Sequence, residues 1–344
     1  MANKHGICSI SYEEPVYIKD SAAVVGKKEG SGPLKGLFDM VATDDLLGGT
    51  TWEEGENNFV KNALQILMDK NPDTASEIRY ILGGDLLGQG IGTSFGVEEF
   101  HLPFFGLYGA CSTSGEALSL GSMLVDAGCA SYLACVTSSH FASAEKEFRT
   151  PLDYGTQRPL CATWTVTGSG AFLLAKEKPE KKGTDVFVPG ITGISTGRIV
   201  DYGVKDSMNM GCCMAPAAAD TLMRHFTDFN REPDYYDRII TGDLGMVGRE
   251  ALLLLLREKG IEISDRHIDC GIEMFDNLEQ KTNSGGSGCG CAATVLSALI
   301  LPKIRSGEWR RVLFMPTGAL LSKVSYNEGK TVPGISHAVV IEGV

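Results

Sequence analysis

Apolar and polar positions alternate between two periods along this chain. From Trp52 to Lys70 the residues Phe59, Ala63, Leu64, Ile66 and Leu67 recur at helical spacing, and Asn71-Pro72-Asp73 stops the pattern. Ile78 to Leu82 then reads as a buried strand closed by Gly83-Gly84-Asp85-Leu86. The run Phe104 to Tyr108 leads into Gly109-Ala110-Cys111-Ser112-Thr113-Ser114-Gly115, from which a helix carries Leu118, Leu120, Met123 and Leu124. That helix ends at Ala127-Gly128, and Tyr132 to Val136 is the next strand, reaching Thr137-Ser138-Ser139. By contrast, residues 1–50 read as glycine-rich and irregular, with turns at Ser31-Gly32-Pro33 and at 44–49.

The pattern then repeats. Ala217 to Phe229 reads as a helix, Asn230 to Asp234 ends it, and Arg238-Ile239-Ile240 leads to Thr241-Gly242-Asp243-Leu244. Gly84-Asp85-Leu86 thus matches Gly242-Asp243-Leu244. A weaker echo of the Cys111 stretch is Asn283-Ser284-Gly285-Gly286-Ser287-Gly288-Cys289, followed by a helix over 292–304 and a strand Val312 to Met315. This is duplication at domain scale, with strands and helices alternating, and it predicts mostly parallel sheets covered by helices. The divider falls in the charged segment 176–183, after the strand Ala171 to Leu174, giving halves at 1–178 and 179–344. The segment itself reads as a solvated linker.

Length and charge narrow the picture. A chain of 344 residues exceeds one ordinary core, as two halves require. A net charge of −12 argues against a nucleic-acid partner. No apolar stretch of about 18 residues predicts a membrane span, and Leu252 to Leu256, flanked by charges, reads as a buried helix face or a dimer surface. Residues 1–20 lack the apolar core of a secretory signal. Ten cysteines occur without zinc-like spacing, which predicts no metal site and mostly buried small hydrophobes.

Candidate chemistry starts at Cys111. A cysteine opening a helix meets unpaired N–H groups and the positive end of the helix dipole. That position lowers a thiol's pKa and makes a nucleophile, or it holds a bound carboxylate without chemistry, or the cysteine is a small packed residue. Ser112 reads as the helix cap and a donor. His140 follows a strand end and is either a ligand contact or a satisfied structural histidine. Arg149, Tyr154 and Arg158 follow on the same segment; the arginines either face a ligand or pair with Glu145, Glu147 or Asp153. Asp243 reads as a turn or helix cap, and Gly286 as an absent side chain that leaves space.

Two α/β halves in tandem, with a cysteine opening a helix of the first, resemble the thiolase-like superfamily. Within it, several motifs resemble the stage V sporulation protein AD family closely. They are Gly84-Asp85-Leu86-Leu87, Gly109 to Ser114, Thr137-Ser138-Ser139-His140, Thr165 to Gly170, Met214 to Thr221, Gly285 to Cys289 and Thr317-Gly318-Ala319-Leu320-Leu321. The superfamily resemblance implies an αβαβα layered fold of two duplicated halves and a homodimer. In the enzymes of that superfamily the cysteine works with histidine, or histidine and asparagine, from the second half. Here Gly242-Asp243 and Gly286 stand at those places.

The closer resemblance implies a non-enzymatic role with no cofactor. A chain of this kind binds dipicolinic acid, free or as its Ca²⁺ chelate, for uptake into the developing spore and release at germination. It works beside the membrane subunits of the SpoVA complex, peripherally at the spore inner membrane. The pocket candidates are Cys111, Ser112, His140, Arg149, Tyr154, Arg158, Gly286 and Gly318. The rival expectation is acyl transfer or condensation through Cys111.

Overall fold

The computed structural model describes residues 2–148 and 157–344. In the first half the elements are β1 (Ala2–His5), β2 (Ser9–Val25), β3 (Met40–Val41), α1 (Trp52–Asp69), β4 (Ile78–Gly84), α2 (Ile91–Val97), β5 (Phe104–Gly106), α3 (Thr113–Asp126), β6 (Tyr132–Ser139), α4 (Phe141–Phe148), β7 (Trp164–Thr165) and β8 (Gly168–Ala175). The second half begins with β9 (Pro189–Ser195), α5 (Met210–Phe229), β10 (Arg238–Thr241), α6 (Gly245–Arg257), β11 (His267–Asp269), α7 (Cys270–Met274), β12 (Gly286–Ser287) and α8 (Cys289–Val295). After a π-helical turn, Leu296–Ile300, come α9 (Leu301–Arg305), β13 (Arg311–Met315), β14 (Thr317–Ala319), α10 (Lys323–Asn327), β15 (Gly334–Ser336) and β16 (Ala338–Gly343).

The main sheet runs β11-β10-β13-β16-β9-β2-β8-β6-β4-β5. Read from either end, the two five-strand sets have the same order of roles, which is the duplication seen in three dimensions. The outer strands of each set pair in parallel: β4 with β5 and β6, and β10 with β11 and β13. β2 joins the sets. Its first residues pair with β9 and its last with β8, with the register shifting between Ser11 and Val16.

Helices form three layers around these strands. α1 and α2 pack on the outer face of the first set, and α5 and α6 on the outer face of the second. α3 and α8–α9 fill the middle, in a core that mixes side chains of both halves. Val312 and Phe314 of β13 enter that central core, while Leu313 and Met315 enter the outer one. A strand buried on both faces loses its polar alternation, and each large side chain so buried contributes about 1.5–3 kcal/mol. α8 approaches β8 closely because both carry small residues where they meet. A Cβ on Gly170 would lie 2.7 Å from Ala293, and one on Gly290 would lie 2.3 Å from the Gly168 carbonyl.

The structure corrects the sequence expectation in several places. Residues 9–25 form the 17-residue strand β2, not an irregular segment. Glu13, Glu14 and Pro15 sit where the register shifts and break the alternation that would have marked a strand. α5 begins at Met210, capped by Asn209, and carries Pro216 within it. The helix expected over 292–304 is α8, a π-turn and α9 in succession. Of the leucine run, Leu252, Leu253 and Leu256 are buried and Leu254 is exposed.

Candidate functional site

β5 delivers the chain to a tight turn at the carboxyl ends of the strands, where ligands of open α/β sheets usually bind. Ala110 there has φ +49°, a left-handed backbone that costs an alanine about 1–2 kcal/mol. Hydroxyls hold it. Ser112 Oγ donates to the Gly109 carbonyl at 2.6 Å, Thr113 Oγ1 donates to the Ala110 carbonyl at 2.7 Å, and Gly109 N–H donates to Thr113 Oγ1 at 3.0 Å. Ser112 stands at the N-cap of α3, but its backbone is helical (φ −81°, ψ −2°) rather than extended, and its side chain caps nothing while its Oγ turns back to the Gly109 carbonyl. Gly318 of β14 presses on the same turn, and a Cβ there would lie 2.3 Å from the Gly109 carbonyl.

Cys111 is 7% exposed and packs with Leu86, Ala144 and Cys289, with Phe148 against them. Cys289 Sγ donates to the Ala110 carbonyl at 3.0 Å. The buried Asp243 carboxyl lies close enough to the Cys111 thiol to act on it electrostatically. Asp243 in turn accepts from Thr317 Oγ1 at 2.7 Å and from Gly288 N–H at 3.1 Å. Burial pushes the Cys111 thiol well above its ordinary value; the Asp243 charge and the neighbouring Cys289 push the same way. Burial also raises Asp243 itself, to about 7.

These contacts overturn three expectations. The helix start does not lower the Cys111 thiol, because desolvation and a buried carboxyl outweigh the dipole. Asp243 does not cap α6. Asp269 does, accepting from Leu244 N–H at 2.9 Å and Gly245 N–H at 3.0 Å. Gly286 does not leave open space. It pairs with Trp164 in the β12–β7 ladder, and a Cβ on it would meet Val166, Phe275 and Cys291 at 3.1–3.3 Å.

The remaining candidates divide. His140 is buried: its Nε2 lies 2.7 Å from the Asp45 carbonyl, and its Nδ1 accepts from Ala142 N–H. Arg158 is buried and pairs with Glu145 at 2.9 Å. Arg149 and Tyr154 lie outside the described residues. The structure therefore gathers Cys111, Ser112 and Gly318 at one turn. It sets Arg158 beside α4, and His140 at its first turn. The other buried histidines are engaged elsewhere: His225 with Ser195 and Tyr236, His267 with Thr241, and His337 with Gly197 N–H.

Beside the Cys111 cluster opens a cavity of about 420 Å³, walled by Leu86, Gln89, Tyr108, Phe148 and Leu321 among others. A second cavity, of about 290 Å³, shares Gln89 and Tyr108 and runs toward Thr93 and Phe104. A larger groove of about 980 Å³ holds Arg231, Lys259 and Arg266, but it lies at the amino ends of β10 and β11, away from Cys111. Asp243 is the residue whose role the sequence hid. Its signal was the duplication, since Asp85 ends the matching strand and is likewise buried, accepting from Leu87 N–H and from Thr93 N–H and Oγ1.

Among solved structures, a variant of OleA from Xanthomonas campestris is similar at TM-score 0.58 and 13% identity, covering 96% of this chain and 99% of its own. The tetronic acid condensing enzyme AbyA1 is similar at TM-score 0.60 and 12% identity (96% and 100% covered). The 3-oxoacyl-[acyl-carrier-protein] synthase III of Aquifex aeolicus gives 0.55 and 12% (95% and 99%). At such identities they establish the thiolase-like fold alone. The Stage V sporulation protein AD of Bacillus subtilis (strain 168) is 39% identical over 331 residues, covering 96% of this chain and 95% of that protein. Residues 6–342 match the family description of Stage V sporulation protein AD, and the chain belongs to that family.

Proposed function

We propose that this chain binds dipicolinic acid, free or as its Ca²⁺ chelate, and presents it to the membrane subunits of the SpoVA complex during spore formation and germination. Its place would be peripheral, at the spore inner membrane. Among the described residues no helix is long and apolar enough to cross a membrane.

One observation carries the preference for binding over acyl transfer. Cys111 keeps the nucleophile's place, but its thiol sits well above its ordinary value and the ionisable side chain that acts on it is the Asp243 carboxyl, not an imidazole. A general base poised for proton transfer commonly contributes about 10²–10⁴-fold. The cavity beside the turn is walled by Tyr108 and Phe148 and carries the Tyr108 and Ser322 hydroxyls and the Gln89 amide, which suit a planar polar ligand, with the Glu147 carboxylate also in its lining. Calorimetric titration with dipicolinate, with and without Ca²⁺, tests the proposal. Saturable one-to-one heat supports it, and a flat titration in both conditions removes it.

A second reading has one observation in its favour. Asp243, raised to about 7, is the carboxyl that acts on the thiol and would be the group to accept its proton. Acyl transfer would then leave an acyl group on Cys111. Incubation with acyl-CoA and intact-mass measurement decides it, an adduct absent from Cys111→Ala being the positive result.

The homodimer implied by the thiolase-like fold would use the sheet edge at β5, which among the described residues pairs only with β4. Phe105 and Phe95, 50% and 60% exposed, stand there. Sedimentation should give about twice the 36.8 kDa chain mass, with Phe105→Asp shifting it to the monomer.

A further inference from the structure

Around the start of α4 the structure assembles a second group of residues, which the motifs did not single out together. The Trp164 indole of β7 lies flat on the Phe141 ring of α4, centroids 3.9 Å apart and planes 8° apart. Two cations face this pair. Lys28 Nζ stands 4.1 Å from the Trp164 centroid, and Arg158 Cζ stands 5.1 Å from Trp164 and 5.7 Å from Phe141. Lys28 Nζ donates to the Gln280 carbonyl at 2.7 Å.

The Arg158 side chain is only 6% exposed. Its Nη1 donates to Glu145 Oε1 at 2.9 Å, while Nε and Nη2 are buried without a hydrogen-bond partner among the described residues. Those two nitrogens form one edge of the guanidinium, with parallel N–H bonds matched to the two oxygens of a carboxylate. A buried donor edge left unmet is costly, and native structures rarely keep one without a reason. The local charges agree. Burial lowers Arg158 to about 10, and burial together with the Arg158 charge lowers Lys28. With Arg158 paired to Glu145, the charge left over is that of Lys28, which the nearby Glu29 carboxyl, raised to about 7 by its burial, offsets only in part.

We propose that the Nε–Nη2 edge of Arg158, with Lys28 and the Trp164–Phe141 stack, is a subsite for a carboxylate borne on a flat aromatic or heteroaromatic ring. A carboxylate satisfies the fork with both of its oxygens. A phosphate could meet the fork with two oxygens but has no ring to set against the Trp164–Phe141 stack. The subsite is coupled to the Cys111 turn through two elements. On α4, Ala144 packs on Cys111 while the adjacent Glu145 holds Arg158. β7 carries Trp164 and pairs with β12, which leads into Gly288 and its bond to Asp243. That the ring is dipicolinate rests on the function proposed above; the anion subsite itself does not.

Calorimetry on the full chain tests this with three probes at fixed ionic strength: dipicolinate, benzene-1,3-dicarboxylate and inorganic phosphate. Both aromatic dicarboxylates should bind and quench Trp164 fluorescence, and phosphate should not. Arg158→Gln should weaken both by about tenfold or more, and Arg158→Lys should recover only part, because an ammonium has no fork. Lys28→Gln should weaken them about threefold. Since Lys28 is only half-buried, that variant answers even where Arg158→Gln does not fold.

Dipicolinate bound equally by the wild type and both neutral variants overturns the subsite and leaves the proposed function standing. Benzene-1,3-dicarboxylate bound through Arg158 without dipicolinate overturns the dipicolinate reading and supports the subsite. Phosphate bound as tightly through Arg158 overturns the aromatic-carboxylate class. Silence from all three probes overturns both proposals.

Discussion

At the scale of single residues, the site turns on the contact between Cys111 and Asp243. A thiol at a helix start is conventionally an activated one, but here burial and a carboxyl dominate. Asp243 is raised to about 7, so its neutral form prevails below that pH and its charged form above. A dianionic ligand at the turn is repelled only by the charged form. Dipicolinate affinity should therefore fall as pH rises from 6 to 8.5, with the steepest change near 7. Asp243→Asn removes the titration and should leave affinity nearly level across that range. The same substitution removes the charge that helps hold the thiol high. Cys111 should then react with iodoacetamide at pH 8 about tenfold faster than in the wild type, read by mass spectrometry of the modified peptide. An unchanged pH profile in the variant would separate Asp243 from the ligand.

At the scale of elements, what the sequence made legible followed periodicity. α1, β4, β6, β8 and β13 all lie within a few residues of their expected bounds, because each carries a regular buried face. β2 was illegible because its burial comes from strands on both edges and from a register shift that no local pattern records. The site was legible in the same uneven way. Cys111, Ser112 and Gly318 are contiguous in motifs and meet in space. The Lys28–Trp164–Phe141–Arg158 group comes from four separated positions that only the packing of α4 and β7 brings together. Gly318 shows how strictly β14 is fitted to the turn. A Cβ there would strike backbone, the Gly109 carbonyl at 2.3 Å, so no side-chain rotation relieves it. Gly318→Ala should cost about 1–3 kcal/mol in urea unfolding, and dipicolinate binding should fall with it as the Cys111 turn is displaced. Wild-type stability in that variant would mean the turn yields easily.

At the scale of the whole molecule, buried titratable groups set a pH dependence whose two limbs have opposite signs. Burial raises Glu29 to about 7, Glu56 to about 8, Asp243 to about 7 and Asp269 to about 6. Each binds its proton more tightly folded than unfolded. Their stabilisation is present below the ordinary carboxyl range and lost as pH rises toward 8. Burial lowers His225 and His267 to about 3 and His337 to about 4, so their contribution is present above pH 6.5 and lost as pH falls. Between about pH 4.5 and 6.5 the two sets oppose each other. Above 6.5 the histidines are neutral in both states and fall silent, while Glu29, Glu56 and Asp243 are still titrating. The melting temperature should accordingly fall from pH 6.5 to 8.5, where the carboxyls titrate unopposed. Glu56 is the strongest lever on that limb: it is buried, accepts from Ser138 and Ser143, and is pushed further up by Asp85. Glu56→Gln should shallow the alkaline decline while leaving the acid limb in place, measured by scanning calorimetry at four pH values. A melting temperature that holds or climbs from 6.5 to 8.5 would show that these carboxyls are hydrated, or paired with charge, in the folded chain.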